Sequence, residues 1–468
     1  MKIQFQAMEY HIDGGFQPAD YEFDGDMETG WQINRNRKKH LTLGKGYRPV
    51  QNRLCGICAT DLARRFLPFP LPQIIGHEVV AMDMETMERS VVEINDTSYY
   101  RGDFPLDPFS QENLYTHTPG RMVLGIDRLP GGFGPYVLVP KKSIIPIGHL
   151  NEYAGVLIEP FAAAFHAVLA SPPQAGDSVA VLGPRRLGTL LVAALHAFRQ
   201  SNGIDFEITA AARHQDLLEL CHRFGSDREI HLQTADKKRI ISRFDIVYDT
   251  TGSESGFQLA LQMARKEVHL KSTSGRPVLG FKNLTPLVVD ELSLLPFDEK
   301  TIHFKWENED RDNQEIYVAG NVHPDLLPGR NVHRLDGSDA VKMIQGPAFQ
   351  NRLPRFDLAV ASSVQEIDSI IRPVEAGEIS LVRPRGAILF AGDAEDNPLL
   401  TFIQNGGRLR SSRCGDFAPA IKILKENSEL VDAMSHFLIS HVFPSDELPK
   451  AFQHAAESRS RKVIIKHL

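Results

Sequence analysis

The first third of the chain contains a thiol, an imidazole and several carboxylates at close spacing. They occur in three short runs: Cys55-Gly-Ile-Cys58-Ala-Thr60-Asp61, Gly76-His77-Glu78 and Ile158-Glu159-Pro160. Zinc accepts all three ligand types, and a catalytic zinc site uses about three of them while leaving one position open for water or substrate. A structural zinc site would more commonly have paired Cys-x-x-Cys knuckles, and no second pair follows Cys55 and Cys58. The residue types therefore favour a catalytic zinc site.

Taken singly, each of these residues has a simpler interpretation. Cys58 alone would be a small, buried, apolar side chain, and His77 alone would be a hydrogen-bonded loop histidine. Glu159 alone would be an acidic residue that the helix macrodipole favours near a helix N-terminus. It is the combination of the three in one chain that favours a metal site over these alternatives.

The elements that must position these residues change in character along the chain. From about 45 to 150, short strands alternate with loops rich in proline and glycine, as in a small β-barrel, and 160–170 is predicted to be a helix. After Gly176-Asp177 the sequence predicts strands at 179–182, 207–212 and 246–248, with helices at 187–200 and 216–224. This alternating order indicates an α/β fold with a doubly wound parallel sheet.

A glycine-containing turn follows the first of these strands. The run Gly183-Pro184-Arg185-Arg186-Leu187-Gly188 occupies the position of the dinucleotide fingerprint G-x-G-x-x-G. The outer glycines Gly183 and Gly188 suit the tight turn and the close packing of helix on strand. The middle position, where the backbone approaches the pyrophosphate, is Arg185. Its side chain could reach the phosphates, or it could fill the site and block it.

Together these runs resemble the zinc-dependent medium-chain dehydrogenase/reductase family, which includes alcohol, polyol and threonine dehydrogenases. The family signature reads roughly C-G-[IV]-C-G-[ST]-D, then G-H-E, then E-P at the start of a helix. Further matching runs are Gly131-Gly-Phe-Gly-Pro-Tyr136-Val, Ser178-Val-Ala-Val-Leu-Gly183 and Arg243-Phe-Asp-Ile-Val-Tyr-Asp249-Thr-Thr-Gly252. The resemblance covers about 45–275 and 385–468.

The resemblance implies a two-domain architecture. Residues 1–165 would form a GroES-like β-barrel catalytic domain, completed by about 430–468, and 166–429 a Rossmann nucleotide-binding domain. Because the family usually needs about a hundred fewer residues, we expect a large insertion at about 276–384. Within it, Arg355-Phe-Asp357 resembles Arg243-Phe-Asp245, which predicts an extra strand–helix–strand unit in the sheet, although a chance similarity of two ordinary α/β segments is the alternative.

The resemblance also assigns roles around the zinc. Cys58, His77 and Glu159 match the thiolate, imidazole and carboxylate ligands, and Glu78 matches an acidic residue that is a ligand or stands close behind the metal. Asp61 matches a carboxylate that supports the ligands.

Thr60 matches the hydroxyl that passes the alcohol proton outward, since a hydroxyl can donate and accept at once. The chain departs from the family pattern in two places. Leu62 and Ala63 follow Asp61 where relatives continue the relay with a histidine, and 85–120 has none of the four cysteines of the structural zinc lobe. We therefore expect one catalytic zinc per chain.

At the end of the second strand of the nucleotide domain, the resemblance places Ala212 where NAD-binding relatives have an acidic residue. The next residue is Arg213. An absent acid and an adjacent guanidinium favour the 2′-phosphate of NADP over NAD, while a surface arginine in a helix-entry loop is the alternative. Gly252 matches the turn after the fourth strand, which faces the nicotinamide side.

The composition excludes several other classes. The net charge of −7 gives no electrostatic case for binding nucleic acid or an anionic membrane surface, and no apolar stretch is long enough to span a membrane. Four cysteines are too few for a disulfide framework, which predicts a cytoplasmic protein.

The sequence thus predicts an oxidoreductase that transfers a hydride between an alcohol or polyol and NAD(P), as a homo-oligomer (dimer or tetramer). The alternative is a specialised or non-catalytic member of the same fold. Such a member would bind a ligand or a partner without ordinary dehydrogenase turnover.

Overall fold

The computed structural model describes residues 1–298, 314–319, 327, 331–349, 352–373, 380–394, 396–457 and 460–467. The chain divides into two compact units, the first comprising Met1–Ala162 with Gly415–Leu468 and the second Ala163–Cys414. Parts of the predicted insertion, 299–313, 320–326, 328–330, 350–351 and 374–379, lie outside the described residues.

The strands are numbered in chain order. Those before Ala163 are β1 (Lys2–Tyr10), β2 (Phe16–Asp26), β3 (Gly30–Arg35), β4 (Lys38–Leu43), β5 (Tyr47–Ile57), β6 (Glu78–Asp83), β7 (Arg89–Val92), β8 (Asn95–Asp96), β9 (Met122–Val123), β10 (Tyr136–Pro140) and β11 (Ile144–Pro146). Those of the second unit are β12 (Ser178–Leu182), β13 (Glu207–Ala212), β14 (Arg228–His231), β15 (Phe244–Asp249), β16 (Ala264–Leu270), β17 (Ser293–Pro296), β18 (Glu315–Val318), β19 (Asn331–His333), β20 (Phe356–Ala361), β21 (Val382–Phe390) and β22 (Arg408–Ser411). The returning segment adds β23 (Ile439–Pro444) and β24 (Lys462–Lys466).

The α-helices are α1 (Ala59–Leu62), α2 (Ser98–Arg101), α3 (Pro108–Gln111), α4 (Glu152–Val156), α5 (Ile158–Ala170), α6 (Arg186–Asn202), α7 (Gln215–Arg223), α8 (Glu254–Met263), α9 (Thr285–Val289), α10 (Gly337–Gln345), α11 (Val364–Ile371), α12 (Pro398–Gln404), α13 (Phe417–Lys425), α14 (Ser428–Phe437) and α15 (Leu448–Ala456). Short 3₁₀ turns occur at Arg64–Phe66, Tyr115–His117, Lys141–Ser143, Lys237–Arg239, Pro347–Phe349 and Ser445–Glu447. No helix in the described part of the chain is long and apolar enough to cross a membrane.

The first unit begins with a regular antiparallel sheet, β1 to β4 in order. Residues 31–39, which include the basic residues Arg35, Arg37, Lys38 and Lys39, belong to its β3–β4 hairpin. The two turn residues Asn36 and Arg37 have positive φ of 49° and 62°. Two-residue hairpin turns need such angles because their twist matches that of the strands. Trp31 and Ile33 alternate into the core. Arg35 follows on the same face and forms an ion pair with the buried Glu9.

The second sheet of the first unit positions the candidate metal ligands. Its order is β11-β7-β6-β5-β24-β23, with β10 also paired to β5. Strand β5 therefore lies between β6 and β24, with Gly56 opposite Glu78 on one side and Ile464 on the other. The closing strand of the chain thus lies next to the strand that leads into Cys58.

The second unit is built on a sheet with the strand order β14-β13-β12-β15-β16-β22-β17-β21-β20-β18-β19 within the described residues. The first six strands are parallel and follow the doubly wound order that the sequence predicts. Strand β17 meets β22 in a single antiparallel pair, Leu294 with Leu409, and runs parallel to β21. The segment 276–384 thus enlarges the sheet, as the sequence predicts, by a second parallel group of strands.

Successive side chains of these added strands point to opposite faces of the sheet and pack into two separate hydrophobic cores. Leu294 and Ala359 belong to a large cluster that also contains Val247 of β15, so the added strands share a core with the first group. Their neighbours Leu295 and Leu358 point to the opposite face and form a smaller cluster. The period of two places successive side chains on opposite faces of the sheet, and burial on both faces explains why β20 is apolar except for Asp357.

Candidate functional site

The turn after β5 holds a thiol and a carboxylate in one local structure. Cys58 is the N-cap of α1, and its Sγ accepts the backbone N–H of Thr60 at 3.1 Å. The Asp61 carboxylate accepts the backbone N–H of Cys58 at 2.9 Å. This is a capping box with cysteine in the place of serine, and its two reciprocal bonds fix both side chains relative to the backbone.

His77 brings the imidazole to the same point. Its Nε2 lies 3.2 Å from Sγ of Cys58, and its Nδ1 lies 3.5 Å from Oδ1 of Asp61. The preceding Gly76 has a φ of 98°, and a Cβ there would lie 2.9 Å from both Sγ of Cys55 and the Phe133 ring. Only glycine can supply this conformation in so little space, so Gly76 directs His77 inward.

The donor set fits a zinc ion. Cys58, Asp61 and His77 each offer a ligand atom within 4.8 Å of the others, and no second such group of three occurs in the described part of the chain. Nδ1 of His77 and Oδ1 of Asp61 are buried without a hydrogen bond. Zinc–sulfur and zinc–nitrogen bond lengths with a tetrahedral angle require a separation of about 3.5 Å between the two donor atoms. The 3.2 Å gap therefore needs to widen only slightly.

Burial and mutual charge interactions shift the pKa values of Cys58, His77 and Asp61. Burial raises the pKa of the Cys58 thiol. Burial alone would lower the pKa of His77, but the charges of Cys58 and Asp61 outweigh it and raise that pKa well above its ordinary value. For Asp61 the opposing effect of burial is overcome by His77, and its pKa is lowered. Because a metal binds the thiolate and the neutral imidazole, its binding here would release protons.

Two of the candidate acidic residues lie outside this group. Both carboxylate oxygens of Glu78 accept hydrogen bonds from the ammonium of Lys462. Glu159 is half-buried in α5. Burial raises the pKa of Glu159, while the positive charge of His77 opposes that shift. The structure therefore brings together Cys58, Asp61 and His77, and it does not place Glu78 or Glu159 at ligand distance from them.

The turn between β12 and α6 has the close packing that its glycines predict. Gly183 has a φ of 75°, and a Cβ there would lie 2.6 Å from Cγ2 of Thr251. A Cβ on Gly188 would lie 2.6 Å from Oγ1 of Thr250, whose hydroxyl donates to the carbonyl of Gly183. Any larger side chain at either glycine would separate this turn from the end of β15.

The middle position of the turn does not require glycine. Arg185 has a φ of −82°, which any residue adopts, and its side chain is exposed at the N-cap of α6. Arg213, also exposed, directly follows β13, and Gly252 (φ 61°) follows β15. Because β13, β12 and β15 are parallel neighbours, these residues lie along one edge of the sheet, where open α/β sheets bind ligands.

Comparisons with known proteins agree with this geometry. Over 162 residues the chain is 30% identical to (R,R)-butanediol dehydrogenase of Bacillus subtilis, which covers 32% of this chain and 47% of the relative. Over 222 residues it is 27% identical to L-threonine 3-dehydrogenase of Bacillus velezensis, with coverages of 44% and 61%. An alcohol dehydrogenase structure from Thermotoga maritima matches all of both chains with a TM-score of 0.58 at 14% identity, which indicates a shared fold.

The resemblance to the zinc-dependent medium-chain dehydrogenase/reductase family is confirmed. The aligned parts span about half to three fifths of these curated relatives, and no family profile matches the chain. Solved structures with the fold of this dehydrogenase family include complexes with NADP and with NADH.

Within this dehydrogenase fold, sequence reasoning missed two buried cations near the metal group. Lys462 pairs with Glu78 from the far end of the chain. Arg64 is buried, and its guanidinium donates to the carbonyls of Phe69, Pro70 and Ile126 and to the side chain of Gln73. It follows α1 and secures the loop that leads to His77. No local signal in the sequence distinguishes it from its exposed neighbour Arg65.

Proposed function

We propose that this protein is a zinc-dependent oxidoreductase that transfers a hydride between an alcohol or polyol and NAD(P). The observation that carries the proposal is the convergence of Cys58, Asp61 and His77 on one buried point, in a chain whose relatives are dehydrogenases. In this assignment the first unit is the GroES-like catalytic domain, and the second is the Rossmann nucleotide-binding domain with its enlarged sheet.

We assign one zinc ion per chain to this group. Cys58 and His77 would hold it. Glu159 would complete the set as the third ligand once its carboxylate moves closer than the structure places it, and Glu78 stands behind the group, paired with Lys462. When bound, zinc supplies Lewis-acid polarisation of an alcohol oxygen, which lowers the pKa of the alcohol toward neutrality.

The protein's own residues orient the ligands and move the proton. Oδ1 of Asp61 lies 3.5 Å from Nδ1 of His77, so its negative charge favours a proton on Nδ1 and leaves Nε2 as the free ligand atom on the side of Cys58. Thr60 is half-buried beside Cys58, to whose Sγ its own backbone N–H is bonded. Its hydroxyl can take the alcohol proton and pass another toward solvent, because it can accept and donate at once.

We propose NADP as the preferred cofactor. The support is Arg213, exposed directly after β13 at the position where an acidic residue would repel a 2′-phosphate. Arg185 is exposed at the N-terminus of α6, where it can approach a phosphate without occupying the turn itself. Small alcohols or polyols are the proposed substrate class, and a dimer or tetramer is the proposed assembly.

A panel of alcohols and polyols, incubated with the purified protein and either NADP or NAD, tests the function through the absorbance of the reduced nicotinamide. We expect alcohol-dependent reduction that Cys58→Ser abolishes. Zinc analysis and fluorescence titration with NADPH and NADH accompany it. A protein that holds no zinc and binds neither dinucleotide would instead support the non-catalytic alternative.

A further inference from the structure

A buried glutamate in the added segment lies at the centre of a network of charges in the second unit. Glu291 precedes β17, has a positive φ of 54° and is 4% exposed. Its carboxylate accepts hydrogen bonds from Nε2 of His166 at 3.1 Å, from Nε of Arg385 at 2.7 Å and from the backbone N–H of Arg413 at 2.9 Å. A left-handed conformation at a residue other than glycine costs free energy, and it persists only where surrounding contacts compensate for it.

The third of these contacts lies at the edge of the sheet that binds ligands. The residues that directly follow four paired, parallel strands are Gly183, Thr250, Lys271 and Ser412, because Leu182, Asp249, Leu270 and Ser411 are in register. Arg413 is the next residue after the last of them. The strand order changes direction between β12 and β15, so the two halves of a dinucleotide lie on either side of that point.

The half of the dinucleotide that lies over β12 and β13 contacts Arg213 and the turn between β12 and α6. The other half, which carries the nicotinamide, therefore extends over the ends of β15, β16 and β22. Arg413 lies at the end of β22, so its backbone forms part of the surface beneath that half.

Both backbone polar groups of Arg413 are held by buried charges. Its N–H donates to Glu291, and its carbonyl accepts from Nζ of Lys271. Lys271 also donates to Oγ of Ser412 at 3.1 Å, and that hydroxyl lies 2.8 Å from Nε2 of His269. The opposite charges of Glu291 and Lys271 thus fix the peptide groups on either side of Arg413.

We propose that Glu291 is a positioning residue for the nicotinamide-bearing half of the dinucleotide, acting through the backbone of Arg413. The inference rests on the proposed function, since it assumes that NAD(P) binds at this edge. It assigns the added segment a role, because Glu291 and Arg385 both belong to or border the strands that enlarge the sheet.

Calorimetric titration of Glu291→Ala with whole and truncated ligands tests the proposal. NADPH and NADH carry the nicotinamide, whereas 2′-phospho-ADP-ribose and ADP-ribose lack it. We expect the variant to bind the whole dinucleotides about tenfold more weakly, as for the loss of one charge-assisted hydrogen bond, and the truncated ligands within about twofold of wild type. Glu291→Gln retains an acceptor oxygen for Arg413 and should recover most of the lost affinity.

Asp290→Ala is the matched control. It removes the neighbouring buried carboxylate, which pairs with Arg355 at 3.0 Å, and keeps the hydrogen bond between the backbone N–H of Arg413 and Glu291. Two results would overturn the proposal. One is an equal loss of affinity for whole and truncated ligands in Glu291→Ala. The other is that Asp290→Ala, like Glu291→Ala, weakens the binding of the whole dinucleotides more than that of the truncated ligands.

If Glu291→Ala does not fold, Arg385→Met is the second variant, because it removes one donor to Glu291 from a more exposed position. It should weaken the binding of whole dinucleotides more than that of truncated ligands, by a smaller factor than Glu291→Ala. If Arg385→Met affects both kinds of ligand equally, the inference is also overturned. Wild-type protein that binds neither NADPH nor NADH would refute the proposed function itself.

Discussion

The ammonium group of Lys462 contacts both carboxylate oxygens of Glu78, a residue 384 positions earlier in the chain. The side chains are 6% and 1% exposed, so water screens neither charge. The contact exists because β6 and β24 pair with opposite sides of β5, so the side chains of Glu78 and Lys462 meet across that strand. The pairing of β24 with β5 thus brings the positive charge of Lys462 to Glu78, behind the candidate metal group.

Replacing Lys462 by Met should destabilise the protein strongly. The change leaves the Glu78 carboxylate buried and unpaired, which typically costs about 3–5 kcal/mol. We expect a lower thermal unfolding midpoint, measured by circular dichroism, and a recovery of most of the loss when Glu78→Gln is added. A double variant as unstable as Lys462→Met alone would show that the ion pair is not the cause.

Cys58→Ser should remove the zinc, whereas Cys55→Ser should retain it. Both cysteines belong to one Cys-x-x-Cys run, but only Cys58 lies within the group that could hold a metal. We expect about one zinc per chain in wild type and in Cys55→Ser, and almost none in Cys58→Ser, by elemental analysis of purified protein. Equal zinc loss in both variants would contradict the assignment of Cys58 as the specific ligand.

Arg213→Asp should weaken the binding of NADPH far more than that of NADH. The substitution replaces a cation that can pair with the 2′-phosphate by an acid that repels it and suits a ribose hydroxyl. Fluorescence titration with NADPH and with NADH measures the ratio of the two affinities. Arg223→Asp, an exposed arginine at the other end of the following helix, is the control and should leave the ratio unchanged. Losses of the same size for both cofactors would mean that Arg213 does not contact the 2′-phosphate.

Asp249→Asn should stabilise the protein at pH 7.5 more than at pH 5. Burial raises the pKa of Asp249 to about 6, and its Oδ2 has no hydrogen-bond partner. Because the folded-state pKa exceeds the ordinary 3.8, protonation of Asp249 favours the folded state. That contribution is complete below about pH 3.8 and is lost as the pH rises through about 6.

The full size of this effect is on the order of 3 kcal/mol. Asn keeps the acceptor for the backbone N–H of Thr251, which bonds Oδ1 at 2.8 Å, and carries no charge. Thermal midpoints of the variant and wild type, compared at the two pH values, provide the measurement. If the difference in thermal midpoint between Asp249→Asn and wild type does not grow with pH, the raised pKa of Asp249 is contradicted.

Deleting 277–350 and rejoining the chain should prevent the second unit from folding. Strand β17 lies between β22 and β21, and Leu294 within it belongs to the core that both groups of strands share. Its removal exposes two strand edges and apolar surface. We expect the deleted protein to bind the dye ANS and to lose the cooperative thermal transition. A soluble, cooperatively unfolding product would show that the first six strands suffice.

Much of the site followed from local sequence, because its decisive contacts are short-range. Cys58 and Asp61 are three residues apart and cap the same helical turn. Gly183 and Gly188 serve one turn whose geometry admits little else. Apolar runs at 179–182 and 207–212 predict buried parallel strands, and these occur as β12 and β13. Such features depend on backbone angles and periodicity, which a few consecutive residues determine.

The sequence by itself therefore determined the α/β class, the resemblance to the dehydrogenase family and the choice of Cys58 and His77 as members of the candidate metal group. Only the tertiary structure decided that Glu78 faces Lys462 and that Arg64 rather than Arg65 is buried. The same holds for the contact of Glu291 with the backbone at the end of β22. These contacts join segments far apart in sequence, and a charged residue carries no local mark of its partner. Burial and pairing arise only when the sheets bring distant strands side by side, so the charge environment of the site is a property of the folded chain.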